Sequence, residues 1–186
     1  MTYIEKMTKT LLIGGNGFLG SKIVEAASNI IFTYRNGTTK DKRAIQLDLE
    51  DEIRTKEIIQ EVSPEIIIFC AKFENIEKFR KLIDMVKKIR FLFISSDAVF
   101  DGEKGNYSED DKKNPLTTYG KGKDQFEEII KEYLTNYVII RPGWILGKGC
   151  KRSSEIIKKL NDNAPMKRFN DFYRSFIEVE DLAKII

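Results

Sequence analysis

The sequence predicts a doubly wound α/β fold around a parallel sheet, and three observations carry that prediction. First, the apolar run 9–13 ends in a Gly14, Gly17, Gly20 spacing and passes at once into an amphipathic segment, the order of a strand, a tight turn and a helix. Second, short β-branched runs then alternate with stretches of helical periodicity along most of the chain. Third, the runs 65–70 and 91–94 are nearly continuous in apolar residues, the pattern of strands buried on both faces of a parallel sheet.

Taken in order, the strand 9–13 leads through the glycine turn into a helix carrying Ser21, Ile23, Val24 and Ala27. Ile30 to Tyr34 is β-branched and aromatic and stops at Arg35-Asn36-Gly37, so it reads as a strand and a turn. The run 44–47 makes a third strand, ended by Asp48. Ile53, Ile58, Ile59 and Val62 fit a helix closed by Ser63-Pro64, because a residue before proline is driven out of the α region. After the strand 65–70, the helical pattern returns over 75–88 through Ile76, Phe79, Leu82, Ile83 and Val86. The segment 95–118 is long and polar, with turns at Asp101-Gly102 and Asn114-Pro115, and is expected to border a substrate. A helix over 118–133, a strand over 137–140 and a helix over 153–160 follow, the last ending at the turn 161–165. Residues 180–186 read as the first turns of a further helix without a cap, so the C-terminal part is expected to be short or missing.

Each glycine of the turn has a physical task. Gly14 allows the tight exit from the strand, Gly17 removes a Cβ where backbone approaches a pyrophosphate, and Gly20 lets the helix lie close on the sheet. With Asn16, Phe18 and Leu19 they form a candidate dinucleotide loop, whose helix N-terminus offers free N–H groups to phosphates. An ordinary glycine-rich turn is the alternative. The position of the loop at the head of the strand-helix alternation favours a Rossmann-type site, with ligands at the carboxyl ends of the strands.

At 186 residues the chain is expected to form one domain, a single NAD(P)-binding Rossmann domain over 1–186. No apolar stretch approaches a membrane span, and Met1 to Lys9 lacks an apolar signal core, so a cytoplasmic protein is expected. A net charge of +3 is too weak and dispersed for nucleic-acid binding and suits an anionic small molecule equally well. Cys70 and Cys150 fit no zinc spacing and read as buried thiols. Histidine is absent, which excludes histidine metal sites and leaves acid-base chemistry to Tyr, Lys, Ser, Cys or carboxylates; with a tyrosine, a lysine and a serine to supply the acid and the electrophilic contacts, no metal is needed.

Tyr119 and Lys123 stand four residues apart at a helix start and so share one face. An ammonium beside a phenol favours the phenolate, which would lower the Tyr119 pKa and make it a usable proton donor or acceptor. A solvated surface pair is the alternative. Ser95 and Ser96 sit at the carboxyl end of a buried strand, where a hydroxyl either bonds a substrate carbonyl or simply caps the strand end. Arg35 closes the second strand where an acid would bind the ribose 2′-hydroxyl of NAD. An arginine there accommodates a 2′-phosphate, so NADP is favoured, with NAD as the alternative cofactor and a solvated turn residue as the alternative reading of Arg35.

The glycine loop, Ser96 and Tyr119-x-x-x-Lys123, in this order, resemble the extended short-chain dehydrogenase/reductase family. Ile94-Ser95-Ser96-Asp97-Ala98-Val99-Phe100-Asp101-Gly102 is particularly similar to the dTDP-4-dehydrorhamnose reductase group. Asn114-Pro115 leading to Tyr119-Gly120-Lys121, then Arg141-Pro142-Gly143-Trp144-Ile145-Leu146-Gly147 and Phe176-Ile177-Glu178-Val179-Glu180-Asp181-Leu182-Ala183, extend the likeness over essentially the whole chain. The resemblance implies that Tyr119 gives the proton to a substrate ketone, Lys123 lowers its pKa and holds the nicotinamide ribose, and Ser96 orients the carbonyl. It further implies that Asp97 and Trp144 help to hold substrate, that Pro142 lines the nicotinamide side, that Asp48 and Leu49 lie beside the adenine, and that Cys70-Ala71 run past the cofactor.

The function so implied is an NADP-preferring reductase or epimerase acting on a keto group of a nucleotide-activated sugar, with 142–186 carrying the start of a substrate-binding region. The resemblance also suggests dimers. Lys72-Phe73-Glu74 replaces the small and polar residues usual after the fourth strand, and Gly122 stands where Ser, Thr or Ala is more common. The alternative is a non-catalytic NADP-binding regulatory or scaffold subunit of the same fold.

Overall fold

The computed structural model describes residues 8–166 and 173–186; most of the segment read as lacking a signal core, 1–7, lies outside the described residues. The elements follow as β1 (Thr10–Ile13), α1 (Phe18–Ala26), β2 (Ile30–Tyr34), β3 (Ala44–Gln46), α2 (Glu52–Val62), β4 (Ile66–Phe69), α3 (Ile76–Met85) and β5 (Arg90–Ile94). After a short 3-10 helix, Asp97–Val99, come α4 (Thr118–Tyr133), β6 (Tyr137–Ile140), β7 (Trp144–Leu146), α5 (Lys151–Asn161), β8 (Phe176–Glu178) and α6 (Val179–Ile185).

Six strands form one sheet in the order β3-β2-β1-β4-β5-β6, every pairing parallel. Thr10 faces Ile30 on one side and Ile66 on the other, so β1 is central and the strand order reverses between β1 and β4. That reversal opens a crevice beyond the carboxyl ends of these strands.

The apolar runs are continuous because each strand is buried twice. Leu11, Ile13, Ile67, Phe69, Phe91 and Phe93 pack beneath α2, α3 and α4, whereas Leu12, Ile68 and Ile94 join α1 and α6 on the opposite face. Phe79 of α3 stacks on Phe126 of α4 with centroids 4.1 Å apart and meets Phe69 edge-on at 5.3 Å. Each such buried ring contributes about 2–3 kcal/mol, and together they fix α4, with Tyr119 and Lys123, against β4 and β5.

Local signals set most boundaries. Asp51, Asn75 and Thr117 accept from backbone N–H groups of Arg54, Lys78 and Gly120 and so begin α2, α3 and α4. The third helix is shorter than its apolar periodicity suggests: it ends at Met85, where the Val86 N–H closes onto the Ile83 carbonyl in a tighter turn. Helix α1 begins at Phe18, ahead of the amphipathic segment, because Gly17 serves as its N-cap. The sequence reading assigned no strand to 144–146 or 176–178. These pair in parallel, Trp144 against Phe176, in a separate two-stranded sheet whose partners are too short for periodicity and too distant in sequence for a turn signal.

Candidate active site

The carboxyl ends of β1, β2, β3 and β4 open into a cleft lined by Gly14, Asn16, Gly17, Arg35, Asp48, Leu49, Cys70 and Ala71, with Lys72 and Phe73 at its side. The structure thus brings together residues that follow four separate strands, β1, β2, β3 and β4. Gly14 has φ +97°, and a Cβ built there would stand 2.8 Å from the Ala71 backbone, so only glycine joins the end of β1 to that of β4 this closely. The Asn16 amide donates to the Asn36 carbonyl at 2.8 Å, tying the glycine loop to the turn that carries Arg35. The Arg35 carbonyl accepts from Gln46 at 3.2 Å, and its side chain is exposed at the cleft. Asp48 accepts from the Glu50 N–H at 3.1 Å.

Helix α1 differs from α2, α3 and α4, each of which a side chain caps. Its N-cap is Gly17, no side chain caps it and no acid stands in its first turn, so the first N–H groups, over 18–20, lack helical partners. A Cβ on Gly17 would meet only the Gly14 carbonyl within 4 Å, at 3.3 Å. Leu19 and Gly20 are buried against the sheet side, so they offer a ligand their backbone and not their side chains. The geometry fits an anionic group of a dinucleotide.

Beyond β5 the two serines part. Ser95 turns inward and donates to Glu127 at 2.5 Å, while Ser96 accepts from the Ala98 N–H at 3.2 Å, capping the 3-10 helix, and donates to Asp97 at 3.2 Å. The Ser96 hydroxyl also stands beside the Tyr119 phenol. Lys123 donates to the Ile94 carbonyl at 2.7 Å, with its ammonium 4.7 Å from the Phe93 ring centre and 5.9 Å from that of Tyr119.

The electrostatics depart from the sequence expectation. Tyr119 is 55% exposed, and partial burial raises it above the ordinary tyrosine value, while Ser96 pulls it down and Asp97 pushes it up; Lys123 is not among the causes. The ammonium gives a hydrogen bond to the Ile94 carbonyl and lies 5.9 Å from the centre of the Tyr119 ring. Burial also lowers Lys123 itself, to about 8, against smaller opposing effects of Cys70 and Glu127. Cys70 is pushed up to about 12 by burial and is an inert thiol at neutral pH.

Asp97, Pro142 and Trp144 meet on the far side of Ser96. The Asp97 N–H donates to the Pro142 carbonyl at 3.0 Å, and Arg174 forks onto both Asp97 oxygens at 3.0 and 2.9 Å while its guanidinium lies 5.8 Å from the Trp144 ring centre. Sequence reading missed Arg174, which no local spacing marks. It also missed Glu127, although this residue follows Lys123 by four positions and Tyr119 by eight and so continues their helical face.

The long loop is pinned rather than slack. Asp101 accepts from Tyr107 and, at 3.0 Å, from Asn114; the Tyr107 hydroxyl first and Asn114 next hold its carboxyl down at about 2. Phe100 stacks on Tyr107 at 4.4 Å, and Arg141 reaches across to the Glu109 carbonyl at 3.0 Å. Among the described residues no helix is long and apolar enough to cross a membrane, and no group of three or more Cys, Asp or Glu could hold a metal ion.

Comparison with known proteins matches this arrangement to a family. The model of the RmlD substrate binding domain matches residues 84–186. Spore coat polysaccharide biosynthesis protein SpsK of Bacillus subtilis (strain 168) is 27% identical, over 97% of this chain and 69% of its own length. Methionine adenosyltransferase 2 subunit beta of Xenopus tropicalis is 27% identical over 83% of this chain and 52% of its own length. The crystal structure of a hypothetical dTDP-4-dehydrorhamnose reductase from Sulfolobus tokodaii superposes with a TM-score of 0.80 at 29% identity, covering 95% of this chain and 70% of that one. The chain therefore spans between about half and about 70% of the length of these relatives. Because the family match takes in more than half of the chain and the fold agrees over 95% of it, the chain belongs to the RmlD substrate-binding-domain family of the extended short-chain dehydrogenases/reductases.

Proposed function

We propose that this chain is the cofactor-binding and catalytic part of a reductase or epimerase acting on a keto group of a nucleotide-activated sugar. The observation that carries the reading is the meeting of Ser96, Tyr119 and Lys123 at the end of β5, beside the cleft of Gly14, Gly17 and Cys70. The open end of α1 would hold the pyrophosphate of a nicotinamide dinucleotide, Asp48 and Leu49 would flank its adenine, and exposed Arg35 would grip a 2′-phosphate, so NADP is preferred over NAD. When bound, the cofactor supplies or accepts a hydride. Ser96 orients the ketone oxygen, and Tyr119, a protonated phenol at neutral pH, gives that oxygen its proton. Lys123 stands on the cofactor side of Tyr119, next to Cys70. Asp97, Trp144 and Arg174 form the wall against which the sugar rests, at the start of a substrate region over 142–186.

The test is NADPH consumption by the full chain with a panel of nucleotide-linked 4-keto sugars, cofactor affinity being followed in parallel. Tyr119→Phe keeps the ring and is expected to lower turnover by about 10²- to 10⁴-fold while NADPH binding survives. Wild-type rates in Tyr119→Phe would overturn its role as acid. A second reading, a regulatory or scaffold subunit, is favoured by the likeness to a methionine adenosyltransferase subunit beta and by a phenol that no cation activates. NADPH binding with no turnover of any keto sugar supports that one.

A further inference from the structure

Resting on the reading of Ser96, Tyr119 and Lys123 as a reductase site, we propose that Glu127 is its positioning residue: a buried carboxylate that holds the reactive face of α4 in register with the end of β5 and sets the charge environment of Lys123. Three consecutive residues of one strand end are each met by a different turn of one helix. Ile94 accepts from Lys123, Ser95 donates to Glu127, and Ser96 stands by Tyr119. Tyr119, Lys123 and Glu127 repeat at four-residue intervals, so a shift of α4 along β5 would break all three meetings together.

Glu127 has no exposed surface and is fully satisfied. It accepts from Ser95 at 2.5 Å, from two nitrogens of Arg141 at 2.9 and 2.8 Å, and from Lys113 at 3.2 Å. These donors come from the end of β5, the residue after β6 and the long loop, so one carboxylate fastens three segments that surround the site. Burial alone would raise its pKa; Arg141, Ser95 and Lys113 outweigh that and keep it ionised. Apolar packing often serves stability as well as a buried ion pair does, which leaves the fixed geometry and charge as what this group adds. Lys123 is faced by Cys70 from the end of β4, by Phe93 from β5, and by Tyr119 and Glu127 from its own helix. Glu127 is thus its ionised neighbour. Glu127 in turn is faced by Lys113, which is shared with Asp124 and Glu128, and by Arg141.

The Lys123 side chain can be titrated by heteronuclear NMR in the full chain without cofactor or substrate, its signal assigned from Lys123→Arg. Glu127→Gln is expected to move the Lys123 midpoint down by about half a pH unit or more, and Lys113→Met, which removes a compensating cation, to move it up. In turnover assays Glu127→Gln should lower kcat by about tenfold or more with KM for NADPH nearly unchanged, because the residue lies outside the cofactor cleft. Glu127→Asp should restore the titration but not the full rate, since the shorter arm keeps the charge and loses the register. If Glu127→Gln does not fold, Lys113→Met carries the test. An unmoved Lys123 midpoint in the folded variants overturns the role of Glu127, whereas absence of turnover in the wild type overturns the reductase reading alone.

Discussion

The ammonium of Lys123 lies 5.9 Å from the centre of the Tyr119 ring and gives its hydrogen bond to the Ile94 carbonyl. A helical spacing of four brings the two residues to one face, yet the charge is turned toward the sheet. The pair is therefore a half-buried lysine beside a protonated phenol, which has consequences for stability as well as for chemistry.

The first concerns pH. Lys123 titrates at about 8 in the folded chain against 10.5 when unfolded, so between these values the folded state binds fewer protons. Stability from this position must then rise with pH through that window. Lys123→Met is expected to stabilise the chain by about 1–2 kcal/mol at pH 7, where the wild type carries a desolvated charge, with the gain fading as pH rises toward 10.5. Urea midpoints at pH 7 and pH 10 measure it; a gain that grows with pH would contradict the assignment.

Arg35 tests the proposed preference for NADP. Its exposed guanidinium at the cleft should contact a 2′-phosphate, so Arg35→Ala is expected to weaken NADPH binding by about 1–3 kcal/mol and to leave NADH nearly unchanged. Fluorescence titration of both cofactors distinguishes this from equal losses, which would place the arginine elsewhere.

Two glycines should respond in opposite directions. At Gly14 an alanine meets the Ala71 backbone at 2.8 Å with φ +97°, and Gly14→Ala is expected to cost about 2–3 kcal/mol. Around Gly122, inside α4, a Cβ would meet nothing within 4 Å. Gly122→Ala is therefore expected to stabilise by about 0.5–1 kcal/mol through helix propensity alone, as thermal or urea unfolding will report.

The long loop depends on an ionised carboxylate. Asp101 titrates at about 2 in the folded chain against 3.8 otherwise, so its contribution is present above 3.8 and is lost as pH falls toward 2. Asp101→Asn should reduce amide-exchange protection over 101–114 at neutral pH, with the difference from wild type vanishing near pH 2. Equal protection at pH 7 would mean that the stacking of Phe100 on Tyr107 suffices by itself.

What the sequence determined by itself is local or periodic. Apolar runs without alternation announce strands buried twice, the Gly14, Gly17 and Gly20 spacing announces a strand, turn and helix, and the interval from Tyr119 to Lys123 places both on one helical face, because these are properties of neighbouring residues on one backbone. Only the tertiary structure decided which way each side chain spends its polar groups. It sent Ser95 to Glu127 and Ser96 to the 3-10 helix, gave Lys123 to Ile94, joined Arg174 to Asp97 across 77 residues, and paired Trp144 with Phe176. The physical reason is that a buried donor or acceptor must find a partner wherever packing brings one, and that partner carries no mark in the intervening sequence.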